Sequence, residues 1–303
     1  MKAAQFSAFG EPEVLEIVDL PDPHPAPGQV RIVVHAAGVS ATDWKLRKGL
    51  LSFGAALPQT TGRDIAGVVD EVGDGVTDVA VGDRVFGVSD DGAGAAELAL
   101  LTHRAIIPPS LGFIDAAALP VALETATRGL DQLQVGAGST LLINGATGGI
   151  GGTAVQLAVA RGARVLGVAG AANQSYLHSL GAEPVTYGEG MVKRVRALAP
   201  GGVDHALDVA GNGILPQLID LAGGSQNVVT LADFEGSKEH GVHFSNGFAD
   251  GHAFHALAEV GELIDAGRFW LPVDRTFPLA EIAKAHRASE HGNARGRLVL
   301  VVR

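Results

Sequence analysis

Residues Leu141–Gly151 read LLINGATGGIG: a short apolar run, a turn rich in glycine, and the start of an apolar stretch with helical spacing. The spacing predicts a strand over Thr140–Asn144 and a helix over Gly152–Arg161, with a second strand at Arg164–Ala169. In such a strand–turn–helix, Gly148 lets backbone approach a pyrophosphate with no Cβ in the way. Gly151 lets the helix lie close to the sheet, and Ala146 stands where the common G-x-G-x-x-G pattern has its first glycine. Unpaired N–H groups and the dipole at the helix N-terminus favour phosphate. Ala146, Thr147, Gly148, Gly149, Ile150 and Gly151 are therefore the expected cradle of a dinucleotide, in the turn of a Rossmann unit.

The end of the second strand bears on which dinucleotide. A site for NAD places an acid there to hold the ribose 2′-hydroxyl. Here the chain reads Ala169, Gly170, Ala171, Ala172, Asn173, all neutral, so NADP(H) is the expected cofactor.

Outward from this core, strands and helices alternate. Helices are expected at Gln174–Leu180, Met191–Leu198 and Ile214–Leu221, and strands at Pro184–Tyr187, Val203–Val209 and Asn227–Leu231. That alternation predicts a parallel sheet covered on both faces. Before Asp115 the chain reads as short strands such as Val30–Ala37 and Ile65–Val72, broken by turn residues, which suits a small barrel-like β domain. After a helix at Ala253–Ala266, strand character returns at Leu271–Phe277 and Arg297–Val302, read as rejoining the first domain.

Composition excludes several function classes. A net charge of −11 lacks the basic footprint of a nucleic-acid binder. The absence of cysteine removes disulfides, thiolate metal ligands and a cysteine nucleophile. Neither a signal peptide nor a bilayer-spanning run is evident, so a cytoplasmic protein that engages no membrane is expected. His252 and His255 are spaced i, i+3, with His240 and His243 nearby, but no third metal ligand is indicated; solvated or capping histidines are the reading.

Several further stretches carry a resemblance. Gly38-Val39-Ser40-Ala41-Thr42-Asp43, Thr61-Gly62-Arg63-Asp64, Gly82-Asp83-Arg84-Val85, Leu119-Pro120-Val121 with Thr125, Leu180-Gly181-Ala182, and Gly296-Arg297-Leu298-Val299-Leu300 resemble the medium-chain dehydrogenase/reductase superfamily in its zinc-free quinone-oxidoreductase branch. The resemblance spans nearly the whole chain. It implies an α/β protein, a Rossmann doubly wound parallel sheet over 119–267 plus a GroES-like β-barrel-type catalytic domain over 1–118 completed by 268–303. Zinc-containing relatives hold catalytic zinc with a cysteine, a histidine and usually a second cysteine. The matching positions are Ser40, Arg63 and Val121, so no metal site is expected. It further implies a nicotinamide beside Ser40, Thr125 and the loop after Val209, which brings in Ala210 and Gly211. Ala232, Arg297 and Tyr187 join the implied cofactor contacts, Tyr187 near a 2′-phosphate; a lysine often found with it falls at Ala172, leaving Asn173 as the polar neighbour.

Without a Lewis acid, alcohol oxidation is disfavoured, whereas a quinone or an activated enone carries its own electron sink. The expected activity is hydride transfer from NADPH to such an electrophilic small molecule. Alternatives are an enoyl-thioester reductase and a non-enzymatic NADPH-binding redox sensor or structural protein. Ser40 and Thr125 are the candidate orienting groups, donating a hydrogen bond to a developing oxyanion, or else a turn residue and a hydroxyl bonded to backbone. Asp43 is a helix cap or a catalytic acid, with Arg47 one turn on as its possible partner. Glu124 beside Thr125 is either a proton donor with a raised pKa or an i, i+4 partner of Arg128. Pocket walls are expected around Leu50–Leu57 and Asn246–Phe254. A homodimer is expected, through edge strands near Val228–Leu231 and Phe269–Leu271.

Overall fold

The computed structural model describes residues 1–52, 54, 56–292 and 296–303. Phe53 and Ala55, part of one expected pocket wall, lie outside the described residues. The chain forms two compact units. The first comprises Met1–Val121, Leu257–Asp265 and Leu271–Arg303; the second comprises Ala122–Ala256 and Ala266–Trp270. Most of the helix Ala256–Asp265 thus belongs to the first unit, not to the second as its place in the sequence suggested.

In the first unit the strand Val30–Val39 is the hub. It pairs antiparallel with Asp64–Val72, Leu98–Leu101 and Arg297–Val301. Register shifts between Arg31 and Ile32 and between Val34 and Ala36 bend it, as a barrel-type sheet requires. Val30, Ile32 and Val34 alternate into the core with Ile65, Val69, Leu298 and Leu300, so period-2 patterning sets which face is buried. The C-terminal strand Arg297–Val301 also pairs parallel with Val273–Pro278, and the helix Ile282–Glu290 seats Ile282 and Ala285 in the same core.

In the second unit six parallel strands take the order Glu183–Thr186, Arg164–Ala169, Thr140–Asn144, His205–Asp208, Val228–Thr230, His243–Phe244. This 3-2-1-4-5-6 order is the doubly wound arrangement, and the chain reverses direction between Thr140–Asn144 and His205–Asp208. Strand residues alternate between two cores. Leu141, Ile143, Val165 and Leu207 pack with Ala154, Val155, Leu130 and Leu133. Leu142, Leu166, Val168 and Ala206 pack with Met191, Val195, Leu215 and Leu218. Each fully buried leucine or valine contributes roughly 1.5–3 kcal/mol, so near-continuous apolar strands are what two covered faces demand.

Two details correct the sequence reading. Val228–Thr230 is not an edge, because His243–Phe244 pairs beyond it, and Phe269–Leu271 lies in no strand. The helix around the glycine turn begins at Gly149 rather than Gly152, because the glycines themselves adopt its first turn.

Candidate active site

The glycine turn caps the strand Thr140–Asn144 at the point where strand order reverses, where ligands of open parallel sheets bind. Gly145 starts it with φ of 82°, and a Cβ at Gly151 would lie 2.1 Å from the Gly145 carbonyl oxygen, so the turn closes only with glycine there. Gly148 differs. A Cβ at this position would meet only the Gly145 oxygen at 3.9 Å, so the protein itself does not require a glycine. Its bareness serves whatever approaches from outside. The helix Gly149–Ala160 has no side-chain cap, which leaves the first N–H groups of Gly149, Ile150 and Gly151 without intrahelical acceptors. A pyrophosphate fits this cradle.

A polar chain across the strand ends holds the neighbouring turns. Asn144 Nδ2 donates to Asp208 Oδ1 and to Asn212 Oδ1, both at 2.8 Å. Asp208 Oδ1 also accepts from the amides of Ala210 at 3.2 Å and Gly211 at 3.1 Å. Thr230 Oγ1 donates to Asp208 Oδ2 at 2.8 Å and accepts from the amides of Ala232 at 3.2 Å and Asp233 at 3.0 Å. Asp208 and Thr230 are buried, so they act on a ligand only through these turns. Sequence reading named Ala210, Gly211 and Ala232 and missed the carboxylate that positions them; an acid inside a buried parallel strand was the available signal.

Beside the turn, a cavity of about 350 Å³ is lined by Val168, Tyr187, Glu189, Asn212 and Gln217, among others. Tyr187 is exposed, its amide bonded to the Ala169 oxygen, with its ring edge 3.3 Å from where a Gly170 Cβ would stand. Asn173 precedes the helix Gln174–Ser179 and donates its amide to the Gly170 oxygen at 3.0 Å. Arg194, unremarked in the sequence, donates to the Thr186 oxygen from Nε at 3.0 Å and from a terminal nitrogen at 2.8 Å.

The helix Pro120–Gln132 places Thr125 in its interior rather than at its start. Thr125 Oγ1 donates to Glu124 Oε2 at 3.0 Å, not to backbone. Arg128 Nε donates to Glu124 Oε1 at 2.8 Å and its guanidinium bonds the Ser245 hydroxyl. Burial pushes the Glu124 carboxyl up, but the Arg128 bond and charge, Thr125 and His252 outweigh it and hold the group below the usual carboxylate range. The ion-pair alternative for Glu124 is the one realised, and the raised-pKa acid is not. His252 Nδ1 sits 3.2 Å from Glu124 Oε1, and His255 faces Asp131 at 3.4 Å.

In the first unit Ser40 precedes the helix Ala41–Arg47, and Asp43 lies in its first turn. The Asp43 carboxylate accepts from Ser40 N and Ser40 Oγ, both at 2.7 Å, and from Thr61 Oγ1 and Gly62 N, both at 3.1 Å. Four donors on a buried carboxylate leave no place for a proton of its own, so Asp43 positions Ser40 and the Thr61–Gly62 turn rather than acting as an acid. Arg47 pairs with Glu290, not with Asp43. Arg297 is buried and bonded to Asp64, whose other oxygen accepts from Val121 N at 2.5 Å. Ser40 and Thr125 share one property. Each donates its hydroxyl proton to a neighbouring carboxylate.

Of the positions matching zinc ligands in relatives, Ser40 bonds Asp43 and Val121 is apolar, and no group of three His, Cys, Asp or Glu among the described residues is arranged to hold a metal. No helix among the described residues is long and apolar enough to cross a membrane.

Comparison with known proteins agrees with this architecture. Residues 26–108 match the alcohol dehydrogenase GroES-like domain and residues 180–300 match the zinc-binding dehydrogenase family. Human quinone oxidoreductase is 32% identical over 329 aligned positions, covering 100% of this chain and 98% of that protein. Rat quinone oxidoreductase is 42% identical over 174 positions, a match that spans 56% of this chain and about half, 53%, of that relative. Among solved structures, the quinone oxidoreductase from Coxiella burnetii aligns with a TM-score of 0.84 at 32% identity, covering 100% of this chain and 99% of that one. Mycobacterial Rv1454c complexed with NADPH aligns with a TM-score of 0.84 at 26% identity over 100% of both chains. The chain belongs to the medium-chain dehydrogenase/reductase superfamily, in its quinone oxidoreductase branch, a family of nicotinamide-dependent oxidoreductases.

Proposed function

We propose that the chain is a cytoplasmic, zinc-independent reductase that transfers a hydride from NADPH to a quinone or an activated enone. The observation that carries this reading is the donor chemistry at Ser40, Arg63 and Val121 in a chain with a complete nucleotide turn. With no ligand set to polarise an alcohol, the acceptor must supply its own electron sink. NADPH when bound supplies the hydride. The chain's own part is to hold pyrophosphate on Gly148–Gly151 and to fix the turns at Ala210–Gly211 and Ala232 through Asp208.

NADPH is favoured over NADH by the neutral run Ala169–Asn173, by Tyr187 on the cavity wall and by the positive charge of Arg194 beneath the Tyr187 turn. Glu189 on the same wall acts in the opposite sense, so Glu189→Gln is expected to raise the preference for NADPH. The protein is further proposed to dimerise. The edge strand Glu183–Thr186 carries Pro184, which blocks pairing, whereas the edge His243–Phe244 is flanked by half-exposed Phe234 and exposed Phe248.

Fluorescence titration with NADPH and NADH, followed by a panel of ortho-quinones, enones and enoyl-thioesters, tests the reading. Tighter binding of NADPH by about tenfold, a difference of ~1.4 kcal/mol, with turnover of quinone or enone is expected. Turnover of enoyl-thioesters alone, or tight binding with no turnover, contradicts it.

A further inference from the structure

We propose that the groove between the strand Val273–Pro278 and the helix Ile282–Glu290 binds a small organic phosphate, independently of the reductase reading above. A cavity of about 410 Å³ there is lined by Arg275, Phe277, Lys284, Arg287, Ala288 and His291. Its volume is that of a small-molecule site. All six residues belong to the first unit, whereas the glycine turn belongs to the second.

Two simple periods build the groove. Arg275 and Phe277 stand two apart on an edge strand, so they share one of its faces. Lys284, Arg287, Ala288 and His291 recur at three- and four-residue intervals, a single stripe along the helix and the residue that ends it. Phe277 and Ala288 are half-buried and pack against the first core, which gives the groove an apolar base. The four basic side chains are exposed, so an incoming ligand can reach them.

Charge sets this groove apart from the rest of the chain. The sequence holds 22 Lys+Arg against 33 Asp+Glu, yet the described lining has two arginines, a lysine and a histidine and no carboxylate. The acids that balance these cations stand outside the lining. Asp274 Oδ2 accepts from Arg275 Nε at 3.0 Å, Glu281 Oε1 from Lys284 Nζ at 2.8 Å, and Glu13 from a terminal nitrogen of Arg287. Each bond uses one nitrogen of its cation, and an arginine carries five N–H groups and a lysine three. Exposed ion pairs of this kind are weak, so a multivalent anion competes for them. His291 Nδ1 donates to the Arg287 carbonyl at 2.6 Å, which anchors the ring. Three permanent cations suit a dianion better than a carboxylate, and guanidinium forks match phosphate oxygens. Phe277 among them suits a flat apolar body on the same ligand. A duplex nucleic acid is disfavoured, because the net charge of −11 repels a long polyanion. The class that remains is a phosphomonoester of a ring-bearing small molecule.

Calorimetric titration with phenyl phosphate, on protein saturated with NADPH so that the glycine turn is filled, tests the proposal. A dissociation constant of about 0.1–1 mM is expected at low salt. Inorganic phosphate, which lacks the ring, and benzoate, which lacks the second charge, are expected to bind about tenfold more weakly. The double variant Arg275→Gln/Arg287→Gln is expected to lose more than tenfold in phenyl phosphate affinity, with melting temperature and NADPH affinity retained. Glu13→Gln and Glu281→Gln each release a cation and are expected to tighten binding about threefold, a gain that damage to the fold does not produce. Tighter binding of adenosine 5′-monophosphate than of phenyl phosphate assigns a nucleotide as the source, and weaker binding a simpler phosphoester. No binding of phenyl phosphate to the wild-type protein, or unchanged binding by the double variant, overturns the site. Inorganic phosphate as tight as phenyl phosphate overturns the organic ligand. If the double variant melts early, the two glutamate variants decide, and unchanged or weaker binding by both overturns the site. A chain that binds no NADPH sinks the reductase reading alone, since the same titration of the free protein and its variants still tests the groove.

Discussion

Ser40 and Thr125 each donate a hydroxyl proton to a neighbouring carboxylate, Asp43 and Glu124. From sequence each is read either as a donor to a developing oxyanion or as a turn residue or backbone-bonded hydroxyl. The i, i+4 pairing of Glu124 with Arg128 was legible because helix geometry alone sets it. The contact of Glu124 with His252 was not, because 128 residues separate the two and no local rule joins them. The glycines divide the same way. Gly151 is fixed by its own turn, so Gly151→Ala is expected to drive a methyl into the Gly145 oxygen. The strain costs on the order of 1–3 kcal/mol in stability and weakens NADPH binding more than tenfold, as thermal melting and fluorescence titration would show. Unchanged binding by that variant contradicts the fold-based account of Gly151.

Elements were legible in proportion to their length and patterning. The strands Thr140–Asn144 and Arg164–Ala169 stand where their apolar runs put them, because both faces of the sheet are covered and the runs need no alternation, and the helix Met191–Leu198 stands where i, i+4 spacing buries Met191 and Val195. The two-residue strand His243–Phe244 carries no pattern to read, which is why the sheet edge was misplaced by one strand. The helix Ile282–Glu290 is polar by composition and gains its place by burying Ile282, Ala285 and His286 against the first core. Burial there pushes the His286 imidazole down to about 4 from 6.5, with Asp43 and Glu290 pulling it up and Arg47 down. The folded value lies below the unfolded one, so the stabilisation is complete above pH 6.5 and is lost as pH falls toward 4. The total is about 3 kcal/mol. Wild-type protein should therefore lose melting temperature between pH 7 and 4 more steeply than His286→Gln; equal slopes would contradict the buried neutral ring.

For the whole molecule, composition excluded more than it assigned. The absence of cysteine removed thiolate chemistry, a net charge of −11 lacked the basic footprint of a nucleic-acid binder, and the glycine turn pointed to the cofactor class. Which unit each late segment joins was not legible, since helical spacing over Ala256–Asp265 says that a face is buried but not against which core. Dimer formation through His243–Phe244 predicts a single species of twice the chain mass in sedimentation velocity at micromolar concentration; Phe244→Lys is expected to shift it to monomer. Sedimentation of the wild-type chain as a monomer contradicts the dimer. The central claim is hydride transfer from NADPH without a metal. Its most direct test is the rate of NADPH oxidation by an ortho-quinone, measured on protein dialysed against a zinc chelator and again after zinc is restored. The account predicts the same rate in both; activity lost to the chelator and recovered with zinc would contradict it.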